Sequence, residues 1–343
     1  MRNLPASLLA ACLLLASCSP PPPSEGGPVV EREAVREDAD PSASATPQTS
    51  DDASGDVSLP ALMRKQFSGT DLTLGKVLAE NAAYTRHTIT YRSGELTISG
   101  IMNIPKGTGP FPLLILNHGH IDTSVYTNGR GLKREQDYLA RHGFAVLHPD
   151  FRNHAFSDKD DDNEMRFRLG YTEDAINAIL AVRAAKLPSI DAERVGMLGH
   201  SMGGGVTLNA LVVQPDLVDA AVFFAPVSGN AHLNYERWTR RNSSRAAEMR
   251  ERYGSPEENP AFWDAVSAVT YLDRIDTPML IHHGTADDSV PLEWSEDLQG
   301  RLEAIGKDST LHVYQNEPHE FIADWPLVME RTTEFFKKHL AAQ

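Results

Sequence analysis

Cysteine is nearly missing from this chain of 343 residues: Cys12 and Cys18 are the only two, and both fall at its very start. The remainder can form no disulfide and no cysteine-ligated metal site, so packing must stabilise it. A basic excess is missing too. There are 47 Asp and Glu against 32 Lys and Arg, a formal net charge of −15. Charge of that sign repels phosphate backbones and anionic headgroups, which excludes nucleic acid as a partner. Internal repeats are absent. What is present is a hydrophobic share of 41% beside 23% charged residues, enough to bury a full core in one large domain or two small ones.

The first segment reads as an address. Arg2 supplies a positive start, and the apolar stretch Leu4 to Ala16 is too short to span a bilayer as a helix. Leu15-Ala16-Ser17-Cys18 resembles the bacterial lipobox, in which cleavage leaves an N-terminal cysteine carrying lipid. Leu9-Ala10-Ala11-Cys12 fits the same pattern but leaves a shorter apolar run, so Cys18 is the expected lipidation residue. Residues 19–60 follow, with Pro20 to Pro23 in a row, nine acids, two bases and few large apolar side chains. Such a stretch cannot offset its ordering entropy, and a disordered tether is expected. The expected organisation is a signal peptide (1–18), a tether (19–60) and a folded body (61–343).

In the body, short runs rich in β-formers alternate with helical patterns, the signature of a mostly parallel sheet with helices on both faces. Expected strands are His87 to Tyr91, Leu96 to Asn103, Leu113 to Asn117, Ala145 to His148, Val195 to Leu198, Ala220 to Phe224, Met279 to His282 and Leu311 to Tyr314. Expected helices are Gly75 to Tyr84, Leu132 to Arg141, Thr172 to Ala185, Met202 to Val213, Leu292 to Ala304 and Leu327 to Leu340. Over about 228–276 the alternation stops. An Arg- and aromatic-rich stretch replaces it, too long for an ordinary connection, and reads as a helical insertion.

One local pattern carries chemistry. In Arg194-Val-Gly-Met-Leu-Gly-His-Ser-Met-Gly-Gly-Gly205 a strand, a Gly-x-Ser-x-Gly turn and a helix follow in order. A sharp strand-to-helix corner needs residues without side chains two before and two after the serine, and Gly199 and Gly203 meet that need around His200 and Ser201. Gly204 and Gly205 let the helix pack close, and no Lys follows them, which argues against a phosphate loop. A serine hydroxyl is a weak nucleophile until an oriented base takes its proton. Downstream, Gly284-Thr-Ala-Asp-Asp-Ser-Val-Pro291 places an acid after one strand, and Asn316-Glu-Pro-His-Glu-Phe321 places His319 after the next. Asp287 and Asp288 compete for the acid's role. The order Ser, Asp, His is that of α/β-hydrolases. Two backbone amides should hold the oxyanion: that of Met202 and, from the loop His118-Gly119-His120-Ile121, that of His120. A rival reading takes His118-x-His120-x-Asp122 as the opening of a zinc motif like that of metallo-β-lactamases, although Thr123 stands where a further His is required.

These triad segments, the loop Pro149-Asp-Phe-Arg-Asn-His-Ala-Phe-Ser157 and the run Tyr253-Gly-Ser-Pro-Glu-Glu-Asn-Pro260 together resemble the catalytic domain of the prolyl oligopeptidase family and its dienelactone-hydrolase-like relatives. The resemblance implies an α/β-hydrolase fold with Ser201, Asp287 and His319 as the triad, Asp287 being the acid by family position and Asp288 a loop cap. It implies neither cofactor nor metal. No β-propeller is expected ahead of the domain, which favours a serine hydrolase cleaving small esters through an acyl-enzyme. A small serine peptidase is the alternative, with the acidic run Asp158, Asp160, Asp161, Asp162 and Glu164 as a capture point for a peptide amino terminus. A lipid-anchored enzyme of a bacterial outer membrane, periplasm or cell surface is the expected setting, and the sequence gives no sign of oligomeric state.

Overall fold

A computed structural model describes residues 57–342. Cys12, Cys18, the signal segment and most of the expected tether lie outside the described residues. Nine strands form one sheet: β1 (Gly69–Glu80), β2 (Tyr84–Ser93), β3 (Leu96–Pro105), β4 (Phe111–Asn117), β5 (Ala145–Pro149), β6 (Ile190–His200), β7 (Ala220–Phe224), β8 (Met279–Gly284) and β9 (Ser309–Tyr314). Their order is β1-β2-β3-β5-β4-β6-β7-β8-β9. The pairings β1–β2, β2–β3 and β3–β5 are antiparallel, and all pairings from β5 to β9 are parallel. The mostly parallel sheet expected from the alternation is the one observed, and it has the α/β-hydrolase architecture that the resemblance implied.

Both faces of the parallel strands are covered, so their sequences run as continuous apolar stretches. Alternate residues still divide between two cores, as the period of two in a strand requires. Leu113 and Ile115 of β4 and Ala221 and Phe223 of β7 pack with α1 (Leu59–Arg64), α3 (Leu169–Ala185), α4 (Met202–Val213) and α8 (Leu292–Ala304). Leu114, Leu116, Val222 and Phe224 pack with α2 (Lys133–Arg141) and α9 (Trp325–His339). Between β7 and β8 the insertion is helical as expected: α5 (Ala231–Asn234), a π turn (Tyr235–Thr239), α6 (Ser243–Tyr253), α7 (Pro260–Ala265) and a 3-10 helix (Ala268–Arg274). Its Tyr235, Met249 and Trp263 bury themselves against Met165 and Phe167 of the body.

Two expectations change. Gly75 to Tyr84 is not a helix; Gly75 to Glu80 complete the long edge strand β1 and Tyr84 opens β2. Three register shifts interrupt β1, between Thr70 and Thr73, Leu74 and Val77, and Val77 and Ala79. Each inserted residue breaks the alternation that would have marked a strand, and the spacing left behind imitates a helix. The packed body also begins ahead of residue 61. Ser58 caps α1 by accepting a hydrogen bond from the Ala61 amide, and Leu59 is fully buried in the core.

Candidate active site

Parallel strands deliver their carboxyl ends to one side of the sheet, and ligands of such sheets bind there. Ser201 follows β6 in a left-handed, strained conformation, with φ 55° and ψ −119°. Holding a non-glycine residue there costs about 1–3 kcal/mol and persists only where the surroundings enforce it. They do. Ser201 N–H donates to the Phe224 carbonyl, while the Ser201 carbonyl accepts from the amides of Gly204 and Val227. A methyl on Gly199 would stand 2.2 Å from the Gly203 carbonyl oxygen, and one on Gly203 would stand 2.0 Å from that of Asn117. The corner therefore excludes side chains at both flanking positions, as the pattern demanded.

The structure brings Asp287, not Asp288, to His319. The distance from His319 Nδ1 to Asp287 Oδ2 is 2.6 Å, and Asp288 instead accepts from the hydroxyl of Ser289. His319 is tied to the nucleophile's strand by His200, whose Nε2 lies 3.2 Å from the His319 carbonyl oxygen and whose ring lies 4.5 Å from the His319 ring. Ser201 Oγ and His319 form no hydrogen bond in the resting site; such bonds are often long until substrate is bound. Burial, aided by the nearby His319, lowers the pKa of His200 to about 3, so His200 stays neutral.

The acid has a second histidine behind it that the sequence reading passed over. His283 Nε2 lies 3.2 Å from Asp287 Oδ2, and its Nδ1 lies 2.7 Å from Ser295 Oγ. Oδ1 of the same carboxylate accepts from the amides of Ser289 and Val290 at 2.9 and 2.8 Å. Burial pushes the Asp287 pKa up, but the hydrogen bonds from His283, His319 and Val290 overcome it and hold the carboxyl well below its usual range. His283 sits inside the apolar run of β8, where nothing distinguished it from a core residue; its spacing of four from Asp287 was the only signal. The turn carrying His319 is fixed by buried Glu317, which accepts the amides of Ile322, Ala323 and Asp324.

The loop after β4 runs against the elbow. A methyl on Gly119 would stand 3.2 Å from Ser201 Cβ, so the loop passes directly against the elbow, and Met202 opens α4 just after it. His118 underpins that loop. Its Nδ1 and Nε2 lie 2.7 and 3.2 Å from the carbonyl oxygens of Gly119 and Asp150, and burial, with His154 nearby, lowers its pKa to about 4. Neutral, the ring donates its one N–H to one of these two carbonyls, while Asp122 caps its own turn at Ser124. Among the described residues no group of three His, Cys, Asp or Glu side chains is gathered to hold a metal. Fully buried Asp150 braces the far end, accepting from Ser99, Tyr126, Asn128 and the Gly129 amide.

In the acidic run most carboxylates are occupied. Asp160 pairs with Arg152 and Arg166, Asp162 with Arg252, and Glu164 with Arg168 and Arg245. Two of these arginines, Arg245 and Arg252, belong to α6, so the run clamps the insertion to the body. Arg168 also points Nη1 at Met202 Sδ, 3.4 Å away. A cavity of 380 Å³ opens beside His200, lined by Leu132, Arg134, Phe224, Phe321 and Ile322 among others.

An α/β-hydrolase sheet with an elbow serine after β6, and an acid and a histidine joined at the ends of β8 and β9, defines the class as serine hydrolases. Within that class the chain belongs to the prolyl oligopeptidase family, whose model matches residues 130–343. It is 29% identical over 224 residues to the uncharacterized peptidase YuxL of Bacillus subtilis, a match covering 62% of this chain and 32% of that protein. It is also 29% identical over 143 residues to the esterase EstD of Thermotoga maritima, covering 40% of this chain and 32% of that one. The Pyrococcus horikoshii acylaminoacyl peptidase shares the fold with a TM-score of 0.59 at 22% identity, covering 75% of this chain and 42% of that one. The chain thus spans about a third of the length of these two curated relatives.

Proposed function

We propose that the protein hydrolyses small carboxylic esters through Ser201, His319 and Asp287. The 2.6 Å bond between His319 Nδ1 and Asp287 Oδ2, at the ends of β9 and β8 on the side of the sheet that carries a strained elbow serine after β6, is the observation that carries this reading. With Nδ1–H held by the carboxylate, Nε2 is left as the base. It takes the Ser201 proton as Oγ attacks the acyl carbon, and the oxyanion gathers the amides of Met202 and His120. Collapse expels the alcohol, protonated by His319. Water activated by the same nitrogen then frees the acid and regenerates Ser201. Ester over peptide is supported by the acidic run: arginines hold Asp160, Asp162 and Glu164, so these carboxylates are not free to capture a peptide amino terminus.

The second reading, a small serine peptidase, draws on the family match and on YuxL. It uses the same residues, with His319 protonating a poorer leaving group. Turnover of p-nitrophenyl acyl esters against aminoacyl and dipeptidyl nitroanilides separates the two, and a clear preference for the anilides overturns the ester reading. Fluorophosphonate labelling of the wild type but not of Ser201→Ala tests the nucleophile that both share. We further propose that the enzyme works anchored to a bacterial membrane by lipid on Cys18, a reading supported by the Leu15 to Cys18 pattern. Incorporation of labelled fatty acid by the full chain and its loss in Cys18→Ser is the test, and equal incorporation refutes it.

A further inference from the structure

We infer that Arg237, in the π turn of the insertion, is a positioning residue for Asp287, acting through the two peptide groups that hold its carboxylate. This deepens the proposed triad and rests on Asp287 being its acid. The Arg237 guanidinium donates from Nη2 to the carbonyl of Asp288 at 3.0 Å and from Nε to that of Ser289 at 2.8 Å. These carbonyls belong to the peptide groups Asp288–Ser289 and Ser289–Val290. The N–H groups at the other ends of the same two units are the ones that donate to Asp287 Oδ1. Neither peptide bond is cis, so C=O and N–H point to opposite sides of each plane. Arg237 grips the outer ends while Asp287 receives the inner ones.

Two effects follow from that placement. Fixing both carbonyls fixes the direction of both N–H groups, and with them the carboxylate that orients His319. A cation on the carbonyl oxygens also polarises each peptide toward its N–H, strengthening the bonds to the carboxylate, since bonds in a chain reinforce one another. The guanidinium is itself held: it lies 5.7 and 6.0 Å from the ring centroids of Trp238 and Trp294, which meet edge to face at 5.5 Å. Trp294 belongs to α8 and Arg237 to the insertion, so the acid loop is gripped between them. A lysine can contact one of the two carbonyls, and methionine fills the space with no donor.

The experiment compares Arg237→Met, Arg237→Lys and Asp287→Asn in full-length protein, measuring kcat and KM on a p-nitrophenyl acyl ester and the low-field proton resonance of the His319 Nδ1–H bond. Arg237→Met is expected to lower kcat by about tenfold to 100-fold with KM within about twofold, the range that a small misplacement of a catalytic group produces. Its low-field resonance should shift or broaden, and Arg237→Lys should fall between it and the wild type. A kcat within twofold of wild type overturns the inference. So does a loss confined to KM, which would make Arg237 a substrate contact, or a fall in kcat with the resonance unmoved. If Arg237→Met does not fold, Arg237→Lys is judged by the same criteria. Wild-type turnover in Asp287→Asn would remove the triad reading itself, whereas an inactive Asp287→Asn beside a fully active Arg237→Met removes only the inference about Arg237.

Discussion

Replacing Asp287 by Asn keeps the shape of the acid and removes its ability to accept on both sides. In the native site Oδ1 receives two backbone N–H groups and Oδ2 faces two imidazole nitrogens. An amide has one oxygen to offer. Turning its NH2 toward Ser289 and Val290 opposes donors that cannot change character, leaving two amides unsatisfied at about 1–3 kcal/mol each. Turning it toward the histidines is cheaper, because a neutral imidazole can move its proton to the other nitrogen. His283 can then donate from Nδ1 to Ser295 Oγ, whose hydroxyl rotates to suit. His319 can adapt as well, and there the damage lies: its proton moves to Nε2, the atom that must receive the proton of Ser201. The expected loss in kcat/KM is about 10⁴-fold, the cost of a wrong tautomer in Ser-His-Asp enzymes, or about 5.4 kcal/mol at 1.36 kcal/mol per decade. The assay is steady-state hydrolysis of a p-nitrophenyl acyl ester, with thermal unfolding to show that the fold survives. A loss below about 100-fold would refute the tautomer argument.

Acid should destabilise the body well above the range of its carboxylates. Burial keeps His118 and His200 neutral, with pKa values of about 4 and about 3. An unfolded histidine titrates near 6.5, so below that pH the unfolded chain binds more protons and stability falls until each folded pKa is passed, by an upper limit of roughly 3 kcal/mol for His118 and roughly 5 kcal/mol for His200. His148 and His282, also held low by burial, add in the same direction. Urea unfolding between pH 7.5 and 4.5 checks this, and a flat profile contradicts it. Gly203→Ala places its methyl on the Asn117 carbonyl and should cost about 3 kcal/mol or more, read by thermal unfolding; wild-type stability would show that the elbow has room. Chelator treatment should leave ester turnover unchanged, and a metal-reversible loss would restore the reading of His118, His120 and Asp122 as ligands. Arg252→Ala, which breaks a half-exposed pair with Asp162, should change stability by no more than about 1 kcal/mol.

The arrangement of the expected triad was legible because a parallel sheet turns chain order into position. Ser201, Asp287 and His319 each follow a short apolar run, and such runs are strands whose carboxyl ends share one side. Position along the sequence therefore sufficed to place them together. Edge strand β1 was illegible for the opposite reason: little of it is buried, and three register shifts disrupt its period, so neither alternation nor a continuous apolar run marks it. His283 was hidden by burial itself, since a polar residue inside a core run looks the same whether it fills space or supports an acid. Arg237 could not be read at all. Its partners are backbone carbonyls some fifty positions away, and carbonyls leave no mark in a sequence.

The same contrast explains how the resting site keeps its form. Its expected reactive groups come from loops, which are the least constrained parts of a fold. Each loop is tied from behind by polar groups with their own partners: His118 and Asp150 under the loop after β4, His283 and the Arg237-held peptides around Asp287, Glu317 under His319. An unpaired buried polar group is costly, so each support tolerates only the loop conformation that satisfies it. Arrangement of that kind is in place before substrate arrives, which is what electrostatic stabilisation of an oxyanion requires. The helical insertion shares in it through Arg237 and through its ion pairs to Asp162 and Glu164. A change in how the insertion sits would therefore reach Asp287 through two peptide groups.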